Sequence, residues 1–146
     1  MNSLGGMIGN FQHSMDAKGR LFLPAKHRER LGQTVYFTYG FDECLMLFPE
    51  DQWEKFEEAM NNLPLDVRED ATRYYLGHAG TADVDGQGRV AIPQNLRQYA
   101  GLEKEVTFAG IGGYMEIWNT SKWEEKEKTF NKADIKSRLF ASGFKF

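Results

Sequence analysis

Short apolar runs set off by glycine turns organise this chain. Leu21-Phe22-Leu23 and Val90-Ala91-Ile92 each follow a Gly-Arg step and end at a proline, Pro24 or Pro93. After each proline, Ala25–Leu31 and Gln94–Ala100 have room for about two helical turns, with the proline suited to opening the helix and Gly32 or Gly101 to ending it. Val35–Tyr39 with Leu45–Phe48, and Val106–Ala109 with Tyr114–Trp118, are β-branched and aromatic segments joined by Gly-containing links, which predicts two hairpins. Helices are predicted at Glu50–Asn62 and at Ser121–Phe130, the second opened by the capping-box pattern Ser121-x-x-Glu124. A further helix, Asp66–His78, is expected between the halves, with Asp66-x-x-Glu69 at its start.

These segments recur. At an offset of 69 residues, Asp16, Gly19, Arg20, Pro24, Arg28 and Gly32 return as Asp85, Gly88, Arg89, Pro93, Arg97 and Gly101. After a one-residue adjustment, Gly40, Leu45, Leu47 and Trp53 correspond to Gly110, Met115, Ile117 and Trp123, which marks both tryptophans as expected core anchors. A unit of roughly 45 residues buries too little surface to be comfortable alone. The two are therefore expected to pack pseudo-symmetrically as one α+β body. The expected divisions are a first module over 11–53, a connecting helical segment over 54–79, a second module over 80–123, and a C-terminal helix and tail over 124–146.

Composition adds boundaries. The chain of 146 residues is 41% hydrophobic and 27% charged, which is ordinary for a folded protein. No apolar run approaches the roughly 18 residues that cross a bilayer. Residues 1–10 lack the pattern of a secretory signal, and Cys44 has no partner for an internal disulfide, so the cytoplasm is the expected compartment. The net charge of −3 argues mildly against nucleic acid, but the charge is segregated. Lys18, Arg20, Lys26, Arg28 and Arg30 crowd around the first motif, whereas residues 50–70 carry eight acids against Lys55 and Arg68. A basic face can meet phosphates while the acidic part points away or joins subunits.

Arg20 and Arg89 each start a strand just after a glycine turn. One reading has each guanidinium contacting DNA phosphates or guanine edges; the other has it paired internally with Asp16 or Asp85. The two are compatible if the carboxylate orients the arginine. Lys18, Lys26, Arg28 and Arg97 extend the basic set, with a shared structural ion pair as the competing role for Arg28 and Arg97. Lys18 and Lys26 become Gln87 and Asn95 in the second copy, so the first unit is expected to carry more phosphate contacts. Cys44 is read as a packing residue. His13, His27 and His78 lack zinc-site spacing, and Asp83-x-Asp85-Gly86-x-Gly88 lacks the acids of an EF-hand. No metal or cofactor is expected, and a hydrolase built on the Asp–Arg pairs lacks a nucleophile.

The twin D-x-x-G-R blocks, each followed by a proline and a short helix carrying an arginine, resemble the MraZ family of bacterial transcriptional regulators. The resemblance runs from about Met7 to Lys126 and includes AGLEKEVTFAGIGGYMEIW over 100–118. It implies two tandem AbrB-like swapped-hairpin βαββα modules per chain, assembled as a homo-oligomeric ring. It also implies binding of double-stranded DNA at promoter repeats, repression of the division and cell wall operon, and a cytoplasmic, nucleoid-associated location. The family's signature Asp and Arg fall on Asp16 with Arg20 and on Asp85 with Arg89. The remaining class is a non-enzymatic structural ring or adaptor.

Overall fold

Each half of the chain lends its first two strands to the other half. In the computed structural model, which describes residues 6–146, Asn10–Ser14 (β1) runs antiparallel to Glu105–Gly110 (β7) of the second half. Reciprocally, Gly80–Asp83 (β5) of the second half pairs with Thr34–Tyr39 (β3) of the first. Arg20–Phe22 (β2) and Arg89–Ala91 (β6) pair with each other as a separate two-stranded ribbon. Leu45–Pro49 (β4) pairs with β3, Met115–Asn119 (β8) pairs with β7, and the two hairpins join through β4 and β8. The resulting six-stranded sheet has the order β1-β7-β8-β4-β3-β5.

The registers carry a pseudo-two-fold. Leu45 faces Ile117 and Leu47 faces Met115, so the axis passes through the Met46–Glu116 pair. In the ribbon, Arg20 faces Ala91 and Phe22 faces Arg89, which puts the axis at Leu21–Val90.

Strand alternation sends side chains to two layers. Leu45 and Leu47 of β4 join Val35, Phe37, Val106, Phe108, Met115 and Ile117 in the main core, which the ribbon closes with Leu21 and Val90. Met46 and Phe48 face the other way and form a second cluster with Trp53, Tyr36, Phe56, Tyr75 and Leu76. All five residues of β4 are buried, as its unbroken apolar run requires.

The helices cover both faces. After Pro24 the chain makes a 3-10 turn, Ala25–His27, and only then one α turn, Arg28–Leu31 (α1). Its counterpart Gln94–Ala100 (α4) is α-helical throughout and stops at Gly101 in the left-handed region. Glu50–Asn61 (α2) and Leu65–Ala71 (α3) lead into a π turn at Thr72–Leu76, where the Thr38 hydroxyl donates to the Tyr75 carbonyl. Thr120–Lys128 (α5) and Lys132–Ala141 (α6) end the second half.

Three sequence expectations are corrected. The cap of α5 is Asn119, whose side-chain oxygen accepts from the Ser121 and Lys122 amides; the Ser121–Glu124 box is not used. The connecting helix starts at Leu65 behind Pro64 without a side-chain cap, and Glu69 pairs with Arg73 instead. Trp53 is buried, but Trp123 is only half-buried, edge-on to Trp118 at 5.6 Å.

Leu21 and Phe22 are neighbours on opposite faces of the ribbon, at 1% and 40% exposure. Leu21→Ala is expected to lower unfolding free energy by about 2–5 kcal/mol, because the cavity opens under the ribbon. Phe22→Ala should change it by only about 0.5 kcal/mol, as surface substitutions do. Urea denaturation of both variants checks this.

A candidate nucleic-acid interface

The two D-x-x-G-R turns are built identically by their own side chains. In the first, Asp16 Oδ1 accepts from the amides of Lys18 and Arg20, both at 2.9 Å. Its Oδ2 accepts from Arg20 Nε at 2.7 Å. In the second, Asp85 Oδ1 accepts from Gln87 and Arg89 amides and Oδ2 from Arg89 Nε, all at 2.9 Å. The Asp that tolerates turn geometry thus also clamps the arginine that follows. Each carboxyl is held below its ordinary pKa, first by the arginine's backbone amide and then by its guanidinium and the other amide.

Only Nε of each arginine is spent. Among the described residues, the Nη atoms of Arg20 and Arg89 have no hydrogen-bond partner. Both side chains lie on the outward face of the ribbon, at 39% and 25% exposure, so each keeps the forked end of its guanidinium free for an acceptor.

Arg28 and Arg97 do different work. Arg28 Nε donates to the Leu23 carbonyl at 2.9 Å and Arg97 Nε to the Ile92 carbonyl at 3.0 Å. Each guanidinium then crosses to the other half. The Arg97 head lies against Gly19, where a Cβ would meet its Cζ at 2.6 Å, and the Arg28 head lies against Gly88 at 2.7 Å. Both glycines also have positive φ, +78° and +86°, so glycine is required there twice over. Arg28 and Arg97 form no ion pair among the described residues, and their fixed partners are carbonyls. Cross-bonds from Leu23 N to Gly88 O and from Ile92 N to Gly19 O, both 3.0 Å, tie each turn to the opposite strand's end.

Lys18, within the first turn, and Lys26, in the 3-10 turn after Pro24, are exposed, and the second half has Gln87 and Asn95 at the corresponding positions. Arg30 leaves the basic cluster: its fork binds Asp51 at 2.9 and 3.1 Å, with only 10% of the side chain exposed. Phe22 is a participant that sequence reasoning missed. It stands on the outward face with the guanidiniums of Arg28 and Arg89 each 5.8 Å from its ring centre. Its counterpart is Ala91, so the repeat gave it no emphasis. Behind the ribbon, burial and the nearby Arg28 charge push the His13 pKa down. Cys44 is buried, and desolvation pushes its thiol pKa well up.

The family model for MraZ protein matches the chain twice, over residues 7–73 and 75–141. The "Transcriptional regulator MraZ" of Acetivibrio thermocellus is 45% identical over 119 residues, covering 80% of this chain and 82% of its own. That of Syntrophomonas wolfei is 42% identical over 121 residues, covering 81% and 84%. That of Lachnoclostridium phytofermentans is 38% identical over 141 residues, covering 95% and 99%.

The clamped carboxylates generate a pH prediction. Their folded pKa lies below the unfolded value, so their stabilisation is present above the ordinary carboxylate range and is lost as pH falls through the folded pKa. Carboxyl carbon shifts followed by NMR are expected to show Asp16 and Asp85 titrating below 3.8. In the same titration the Arg20 and Arg89 amide shifts should move with them.

Proposed function

The chain belongs to the MraZ family, and from that premise we propose that it is a DNA-binding transcriptional regulator whose reading head is the β2–β6 ribbon. The observation that carries this reading is the ribbon's outward face, with two forked cations at two-fold-related positions and an exposed aromatic ring between two guanidiniums. The major groove is about 12 Å wide and admits a two-stranded ribbon, and its guanine edges accept bidentate arginine. Arg20 and Arg89 stand two residues apart along the ribbon axis, about 7 Å at ~3.4 Å per residue. That spacing lets both reach into one stretch of groove.

The roles divide as follows. Arg20 and Arg89 contact bases or phosphates, and Asp16 and Asp85 orient them. Lys18 and Lys26 neutralise phosphates on the first half's side. Arg28 and Arg97 brace the turns from beneath and add positive potential. The exchange of lead strands between the halves supports the swapped-hairpin description of the two modules, 11–53 and 80–123.

One ribbon offers few charges, so a single engagement is weak and steeply dependent on salt. A homo-oligomeric ring that presents several ribbons to tandem promoter repeats gains by effective concentration. The regulated promoter is that of the chain's own division and cell wall operon, and the protein acts on the cytoplasmic nucleoid as a repressor without enzymatic activity.

Fluorescence anisotropy with DNA from upstream of the gene, against a scrambled duplex, tests the reading. Arg20→Ala with Arg89→Ala is expected to weaken specific binding by at least tenfold, about 1.4 kcal/mol. Thermal stability should change little, since exposed ion pairs contribute about 0–1 kcal/mol. Lys18→Gln with Lys26→Asn should flatten the salt dependence while preserving discrimination between the two duplexes. Unchanged specific binding by the double arginine variant would sink the proposal.

A further inference from the structure

The last helix carries an apolar face that none of the described residues covers. Every residue of α6 is exposed, and Ile135, Leu139 and Phe140 stand at 49, 41 and 54% exposure. Ile135 and Leu139 are four residues apart, so they share one helical face. Phe130 precedes them and Phe144 follows, its ring 6.1 Å from that of Phe140.

The internal repeat says what kind of surface this is. As α3 follows α2, so α6 follows α5; with Trp53 laid on Trp123, Leu65 falls on Ile135 and Asp66 on Lys136. The first-half helix is anchored, because the π turn behind it packs Tyr75 and Leu76 against Met46, Phe48 and Trp53. The second-half helix has no such anchor. The counterparts also differ in sign. Helix α3 is net acidic, with Asp66, Glu69 and Asp70 against Arg68, whereas α6 is net basic, with Lys132, Lys136 and Arg138 against Asp134.

We infer that α6 of one copy docks on the α2–α3 surface of the next copy, so that the chains join head to tail. The receiving surface has matching chemistry: Leu65 and Val67 of α3 are 62% and 50% exposed, Asp66 lies between them in sequence, and Glu57 and Glu58 are exposed on the preceding helix α2. Among the described residues, neither those three acids nor Lys132 and Lys136 has an ion-pair partner within the chain. Two α6 helices meeting symmetrically would bring like charges together, whereas α6 on α3 brings opposite charges together over an apolar centre. Charge therefore selects the heterologous arrangement, the kind that generates a ring when its rotation closes. The inference rests on the oligomeric part of the proposed function and gives it an interface.

Sedimentation velocity on the full chain tests it. The wild type should sediment as an assembly, and Leu139→Asp should reduce it toward the 16.8 kDa of one chain. Lys136→Glu and Asp66→Lys should each weaken assembly, and combining them should restore it. Circular dichroism should be unchanged in all four variants, because every substituted side chain is exposed in the single chain. A wild-type monomer overturns the ring reading and this inference together. An assembly indifferent to Leu139→Asp and Lys136→Glu overturns the inference alone. An unchanged mass with weakened DNA binding assigns the tail to the duplex and overturns it as well.

Discussion

Backbone pairing between the halves is the constraint on which everything else depends. β1 has its hydrogen-bond partner in β7, β5 in β3, and β2 in β6. Without that exchange the ribbon would be two isolated three-residue strands, and Leu21 and Val90 would have no shared core to close. The registers at Leu21–Val90 and Met46–Glu116 lie on one pseudo-axis, which runs from the candidate DNA face through the centre of the sheet. The position of one arginine motif thus dictates the position of the other.

The motif residues divide labour in a way that their chemistry explains. A guanidinium has five donors in a fixed fork, so one edge can be held while the other remains available. Arg20 and Arg89 give Nε to a carboxylate and keep the Nη atoms outward. Arg28 and Arg97 give Nε to a carbonyl and press their planar heads against glycine turns. Lysine could do neither job in the same way, since its ammonium is a point charge without a plane to pack.

How much of this was legible in the sequence varied with how local each feature is. The β4 strand and α4 could be read to within a residue, because a continuous apolar run or a Pro-to-Gly segment is self-contained. β1 and β5 went unread. They are the edge strands of the sheet, and stretches such as NFQHS and GTAD alternate only weakly between apolar and polar. Asn119 prevailed over Ser121 as a cap because helix α5 begins directly at the end of β8, which leaves the strand's last residue in the capping position. Trp123 kept its place in the repeat but not its burial, since the second half has nothing equivalent to Tyr75 and Leu76 to cover it. At the candidate site, the repeat exposed Arg20 and Arg89. It could not show that Arg28 and Arg97 reach across to the opposite half, because that contact exists only once the halves have interlocked.

The exchange of strands also bears on how the protein is made. β1 leaves the ribosome before the other described strands, yet its partner β7 begins only at Glu105. Until then its edge is open, and unpaired edges are templates for unwanted association. A nascent chain arrested just before that point could pair β3 with β4 and β5, but would lack β7 for β1 and β8 for β4. Synthesis must run as far as β7 before β1 can be sealed, which makes the polypeptide vulnerable to arrest between the two strands.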